Sequence, residues 1–171
     1  MVAALELYLD QEASRRIRAL WAALDADGVQ SVAAVMRGLH RPHLSLAVAE
    51  RLDPQLVAGA LDGVAVAPPI RLTLQFVGQF LGRVLWLGPA PSAELLEHHT
   101  LVYERLRAAG VDIWDHYRPG HWVPHCTLSM RVPNVLMGNA VRRCLEVVPI
   151  EATLVAAAVA DHARDIRHPI S

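Results

Sequence analysis

The order of its hydrophobic periods constrains this 171-residue chain more than any single residue does, because strand, helix, strand, helix, strand is read twice. In the first half, Leu5, Leu7 and Leu9 alternate with Glu6, Tyr8 and Asp10, the two-residue period of a strand. Asp10 is placed to cap a helix whose apolar stripe is Ile17, Leu20, Trp21 and Leu24 and which Asp27-Gly28 ends. Ser31 to Gly38 is ambiguous between a short helix and a loop. Alternation returns from His43 to Ala49; Asp53-Pro54 starts a helix, and Ile70, Leu72, Leu74 and Phe76 form one face of a third strand. The second half repeats the order: a strand at Val84–Leu87, then a helix opened by Pro91-Ser92 with Leu95, His99, Val102 and Leu106 on one stripe, ended by Gly110. A strand from His121 to Arg131 follows a loop. Next come a helix from Asn134 to Glu146 with Val141, Cys144 and Leu145 inward, a last strand from Ile150 to Ala160, and a loosely tied polar tail.

The halves share pattern and not letters, so the expectation is an α+β fold built as two similar lobes. The chain reads as one bilobal domain over residues 1–171, with halves at roughly 1–81 and 82–171. Its lobes of antiparallel sheet plus helices are related by a pseudo-twofold around a central cleft, with strand exchange between them allowed. Such a repeat places equivalent strands opposite each other across the cleft.

Two of those equivalent strands carry the chemistry. Arg41-Pro42-His43-Leu44-Ser45-Leu46 and Val123-Pro124-His125-Cys126-Thr127-Leu128 both read Pro-His-x-Ser/Thr-Leu, 82 residues apart. On a strand, residues i and i+2 share a face, so each motif aims an imidazole and a hydroxyl the same way while Leu44 and Cys126 turn inward. A histidine gives or takes a proton near neutral pH, and a neighbouring hydroxyl can hold a phosphate oxygen. With 9 His, 10 Ser plus Thr and 53% hydrophobic residues, His-x-Ser/Thr-hydrophobic is expected about 0.3 times by chance, yet it occurs three times. The third copy, His98-His99-Thr100-Leu101, falls in a helix, where i and i+2 point about 200° apart, so it cannot form the same pair.

Composition excludes some partners. Formal net charge is −1, so no global basic field recruits nucleic acid, and any nucleic-acid substrate would have to be small or gripped locally by a few arginines. All 16 basic residues are arginine, which excludes lysine Schiff-base and P-loop chemistry. Two cysteines, Cys126 and Cys144, provide neither a disulfide framework nor a Cys-rich zinc site. The opening residues lack the basic region of a signal peptide, and Ala152–Ala160, the most apolar run, is too short to span a bilayer. A cytoplasmic monomer without membrane or protein partners is the expectation.

With the two motifs, the Tyr117-Arg118-Pro119-Gly120-His121-Trp122 loop and the Val84-Leu85-Trp86-Leu87 strand, the chain resembles the two-histidine (2H) phosphoesterase superfamily, within it the bacterial 2'-5' RNA ligase and cyclic phosphodiesterase family. The resemblance spans essentially the whole chain. It implies a bilobal α+β fold, His43 and His125 as an acid/base pair, and Ser45 and Thr127 as phosphate-binding hydroxyls. It implies a metal-independent enzyme with no cofactor, acting on a 2',3'-cyclic phosphate or related nucleotide phosphodiester, with ligation as the reverse reaction. Serine in place of the commoner threonine in the first motif keeps the hydrogen bond. The N-terminal strand lacks the basic-aromatic start of many relatives.

Further substrate contacts are assigned by parity. Arg41 and Arg131 share parity with the histidines and are candidates to neutralise phosphate. Arg71, Thr73 and Gln75 form the polar face of the third strand, and Trp122, Tyr117, Trp114 and Trp86 are candidates to stack a base. His121 reads as a surface histidine. A zinc site from His116, His121 and His125 is disfavoured, because His121-x-x-x-His125 needs a helix that Pro124 opposes. The alternative to an enzyme is a module of the same fold that binds RNA ends or nucleotides without turnover.

Overall fold

The fold was described from a computed structural model covering residues 2–35, 40–164 and 166–170. Strands β1 (Ala3–Leu9), β2 (His43–Ala49), β3 (Arg71–Phe80), β4 (Val84–Pro89), β5 (Cys126–Ser129), β6 (Ile150–Asp161) and β7 (Ile166–Ile170) alternate with five helices. These are α1 (Gln11–Ala26), α2 (Val32–Val35), α3 (Pro54–Ala60), α4 (Ala93–Ala108) and α5 (Asn134–Leu145). All strand pairs are antiparallel, in the order β2-β1-β6-β3-β4-β5, with β7 added beside β6. That order is unchanged when β1, β2 and β3 are exchanged with β4, β5 and β6 and the list is reversed. Each half sends its third strand to the other: β3 pairs with β4, and β6 pairs with β1.

The capping chemistry sets the helix starts. Asp10 accepts from Ala13 N at 3.0 Å and from Thr153 N at 2.6 Å, tying the start of α1 to β6. Asp53 and Ser92 cap α3 and α4 in the same way. The stripe Ile17, Leu20, Trp21 and Leu24 of α1 and the stripe Leu95, His99, Val102 and Leu106 of α4 are both buried, as their helical spacing requires. Strand β1 is buried along its whole length, so its second face, which carries Glu6 and Tyr8, is covered too.

Four expectations change. The tail is a strand: β7 pairs with β6 from Ile166↔Asp161 to Ile170↔Ala157, because β6 would otherwise leave unpaired backbone groups there. Phe76 is 51% exposed, since the β3–β4 register shifts between Leu74 and Phe76 and breaks the alternation. Leu145 is also exposed, and Ala140 and Cys144 form the inward face of α5. The predicted strand from His121 to Arg131 is only Cys126–Ser129, so His125 stands immediately before it and parity does not carry to Arg131. The stretch from Ser31 to Gly38, ambiguous in sequence, carries a short helix over Val32–Val35; residues 36–38 lie outside the described residues.

Gly78 fixes the position of an aromatic ring. A Cβ there would lie 2.0 Å from Trp86 Cζ2, because the indole rests across the glycine on the neighbouring strand. Gly78→Ala is expected to displace Trp86 and to lower stability by about 1–3 kcal/mol, or roughly 2–4 °C in Tm per kcal/mol. A thermal melt of the variant checks this, and an unchanged Tm would show that the indole moves freely.

Candidate active site

Both motif histidines are held by the same local device. His43 Nδ1 lies 2.8 Å from the Arg41 carbonyl, and His125 Nδ1 lies 2.7 Å from the Val123 carbonyl, in each case two residues upstream. A carbonyl can only accept, so each ring carries its proton on Nδ1 and presents Nε2. The proline between carbonyl and histidine holds the chain extended, which brings the carbonyl back to the ring. Strands β2 and β5 pack against each other, the Cys126 thiol reaches the main chain of His43, and the two imidazoles influence each other electrostatically. Burial pushes the His125 imidazole below its ordinary pKa, and the nearby His43 adds to the shift.

The two rings have different neighbours. His125 sits edge-on to Phe80 with centroids 4.8 Å apart and near Trp86 at 6.1 Å, an apolar aromatic corner. His43 is 9% exposed, and its Nε2 lies 3.2 Å from Oε1 of Glu6. That carboxylate is almost fully buried, with its Oε1 2.7 Å from His162 Nε2 and its Oε2 accepting from the Tyr8 hydroxyl at 2.8 Å. Burial alone would raise its pKa, but the charge of His43 and contacts with His162 and Tyr8 outweigh it and bring it down to about 2. Glu6, His162, His40 and Phe80 were not singled out by sequence reasoning. Only Glu6 left a signal, as an acid inside an otherwise apolar strand; the others meet the site through tertiary contacts.

The hydroxyls sit as strand parity demands, half-buried on β2 and β5. Ser45 shares a hydrogen bond with the Tyr117 hydroxyl, and burial pushes the Tyr117 phenol up to about 12. Arg41 is exposed and holds its guanidinium carbon over the Tyr8 ring, 4.0 Å from its centroid, at the edge of the His43 cluster. Arg131 is exposed beyond the end of β5. The Thr73 hydroxyl donates to the Glu151 carboxylate, at 3.0 and 2.9 Å to its two oxygens. Trp114 is 42% exposed and lines a separate hollow with Glu50 and Arg51, away from both motifs. His121 pairs with Arg118 on the surface, and His98 contacts the Val66 carbonyl at 2.9 Å, well placed for a helix-packing role.

Trp122 does not stand open for a base. It is 7% exposed and stacked on His99, with centroids 4.0 Å apart and planes 6° from parallel, and its Nε1 donates to the Ser45 carbonyl at 3.0 Å. The position expected for a base is filled by His99. Trp86 and Phe80 are the aromatic rings left beside His125, next to a hollow of about 450 Å3 lined by Phe76, Trp86, Trp122, Val123 and Pro124.

The stacked His99 has a consequence for acid stability. Burial lowers its pKa to about 4 from 6.5, so the unfolded chain takes up its proton first as pH falls. The stability it contributes is complete above pH 6.5 and is lost as pH drops from there to about 4, by about 1.4 kcal/mol per pH unit. Urea midpoints measured at pH 7 and pH 5 should differ, and the difference should shrink in His99→Phe.

Comparison with known proteins agrees with this architecture. The family model described as 2'-5' RNA ligase superfamily matches residues 8–166, which include both histidine motifs. No curated protein sequence matches. Among solved structures, one described as a phosphoesterase is 22% identical with a TM-score of 0.63, covering 98% of this chain and 92% of that one. E. coli LigT complexed with 3'-AMP is 20% identical with a TM-score of 0.65 and coverage of 99% and 94%. LigT complexed with NADP+ is 22% identical with a TM-score of 0.62 and the same coverage. At these identities the likeness is one of fold.

Proposed function

Because the chain belongs to the 2'-5' RNA ligase superfamily, we propose that it is a metal-independent phosphoesterase that opens a 2',3'-cyclic phosphate or a related small nucleotide phosphodiester. The observation that carries this reading is the matched pair of Nδ1–carbonyl hydrogen bonds, which leaves Nε2 of both His43 and His125 as the proton-transferring atom. The palindromic strand order supports reading residues 1–81 and 82–171 as two lobes with the histidines at equivalent points. The LigT structures hold 3'-AMP and NADP+, and small nucleotides also suit a chain with a net charge of −1.

In this mechanism a water attacks phosphorus and His125 takes its proton, a role that suits an imidazole kept neutral by burial. The bond from phosphorus to the 2'- or 3'-oxygen breaks, and His43 donates the proton that the leaving oxygen needs. Ser45 and Thr127 hydroxyls donate to the non-bridging oxygens, with Tyr117 holding the Ser45 hydroxyl in place. Trp86 and Phe80 form the apolar wall beside His125 against which a base rests. Run in reverse with a 5'-hydroxyl, the same two proton transfers join ends.

The pH profile follows from the signs. The base must be neutral and the acid protonated, so kcat/KM is bell-shaped, and its acidic limb lies below the ordinary imidazole value of about 6.5 because burial lowers the His125 pKa. The test is to incubate the protein with nucleoside 2',3'-cyclic phosphates, ADP-ribose cyclic phosphate and 2'-5'-linked oligonucleotides in EDTA and to identify products by mass. Addition of one water to a cyclic phosphate is the expected result. Activity abolished by EDTA and restored by a divalent metal would overturn the mechanism. Tight nucleotide binding without turnover would favour the binding module instead.

A further inference from the structure

Glu6, His43 and His162 converge from three neighbouring parts of one sheet: the middle of β1, the start of β2 and the turn between β6 and β7. One ligand atom from each lies within 4.8 Å of the others. Oε1 of Glu6 stands 2.7 Å from His162 Nε2 and 3.2 Å from His43 Nε2. Ligands bound at 2.0–2.2 Å around a tetrahedral zinc ion lie about 3.3 Å apart, so small outward shifts of these atoms make room for one ion.

The surroundings of the cluster are those of a metal site. Nδ1 of His43 is tied to the Arg41 carbonyl and Oε2 of Glu6 to the Tyr8 hydroxyl, the kind of outer-shell bonds that orient metal ligands. Nδ1 of His40, whose ring is 5.0 Å from that of His43 and 5.5 Å from that of His162, is buried without a hydrogen-bond partner, and Oε1 of Glu6 is buried between the two imidazole nitrogens. A buried carboxylate needs a compensating positive charge, which either protons on the two imidazoles or one cation between the three groups can supply. Among the described residues, the ring neighbours of His125 are Phe80 and Trp86, and no such cluster includes it.

The donor set also selects the ion. Two imidazoles and one carboxylate suit zinc, whereas calcium and magnesium require mostly oxygen. Arg41 on Tyr8, and Arg167, which acts electrostatically on both Tyr8 and His40, add positive charge that opposes any dication, so an ion here must be held by strong bonds to the imidazoles.

We propose that Glu6, His43 and His162 form a zinc-binding site that, when filled, takes the Nε2 of His43 out of proton transfer and so inhibits the enzyme. The binding half stands on the cluster alone; the inhibitory half rests on the phosphoesterase reading above.

The experiment titrates the full-length protein with zinc against a chromophoric competitor, and with cobalt as a spectroscopic stand-in. One equivalent of tight binding and the visible bands of a tetrahedral cobalt site are expected. His162→Ala, a half-exposed position that should fold, is expected to weaken zinc binding at least tenfold and to lose the bands, as is Glu6→Gln. His168→Ala, on an exposed part of β7, should change neither. No stoichiometric binding, undiminished binding by His162→Ala, or equal weakening by His168→Ala overturns the site. In turnover, zinc should inhibit the unmodified protein, whereas His162→Ala, measured against its own zinc-free rate, should need at least tenfold more zinc for the same fractional inhibition. Zinc bound at this site without inhibition overturns the inhibitory half. Site-specific binding by a protein with no turnover of any panel substrate instead overturns the phosphoesterase reading and leaves the site intact.

Discussion

His43→Ala and His125→Ala are each expected to slow turnover by about 10²–10⁴-fold while nucleotide affinity changes little. The reason is geometric. Each ring is anchored through Nδ1 to a carbonyl of its own chain, at 2.8 Å for His43 and 2.7 Å for His125, so its remaining nitrogen is held in place for one proton. In the proposed mechanism alanine removes a proton carrier and leaves Ser45 and Thr127 to hold the phosphate. If the two histidines serve one transition state, the double variant should lose much less than the product of the single losses. Steady-state rates with binding measured separately check this. Two single variants that retain full turnover would leave only a binding module, and equal losses of affinity and rate would mean that the rings bind substrate without transferring protons.

The second large effect falls on Trp122. Trp122→Ala is expected to destabilise the protein by about 3–5 kcal/mol, the range for deleting a buried large aromatic. It removes the face-to-face stack on His99 and the Nε1 bond to the Ser45 carbonyl, which join the loop before β5 to both α4 and β2. Trp122→Phe keeps most of the stacking area but leaves the Ser45 carbonyl without its indole donor, an expected loss of about 1–3 kcal/mol. Chemical denaturation separates the two, because the midpoint should fall in the order unmodified, Phe, Ala. The same tryptophan spans the motifs, holding Ser45 of the first and lying three residues before His125 of the second. The Phe variant should therefore also lower kcat although it touches no substrate, and an unchanged kcat would show that the motifs are aligned by the strands alone.

These expectations separate what was legible in the chain from what was not. The stripes of α1 and α4, the caps Asp10, Asp53 and Ser92, and the alternation from His43 to Ala49 are local, set by residues within one or two turns of each other. They could be read directly, and with them the rejection of His98, whose helix sends its i+2 hydroxyl the wrong way. The two Pro-His-x-Ser/Thr-Leu motifs were legible for the same reason, since parity along a strand needs no knowledge of its partners.

Pairing decisions were not legible, because they depend on which distant backbone offers free donors and acceptors. The polar segment from Ile166 to Ile170 looks loose by itself and becomes β7 only because β6 has an edge to fill. Trp122 reads as a base-stacking ring until His99, brought up by α4, covers its face. Above all, the exchange of third strands sets β6 beside β1 and carries His162 to Glu6 and His43. The sequence by itself placed two Pro-His-x-Ser/Thr-Leu motifs at matched points of a repeated pattern. The tertiary structure alone decided that one histidine would stand in an aromatic corner and the other against a buried carboxylate, because long-range burial, not local period, chooses a side chain's neighbours.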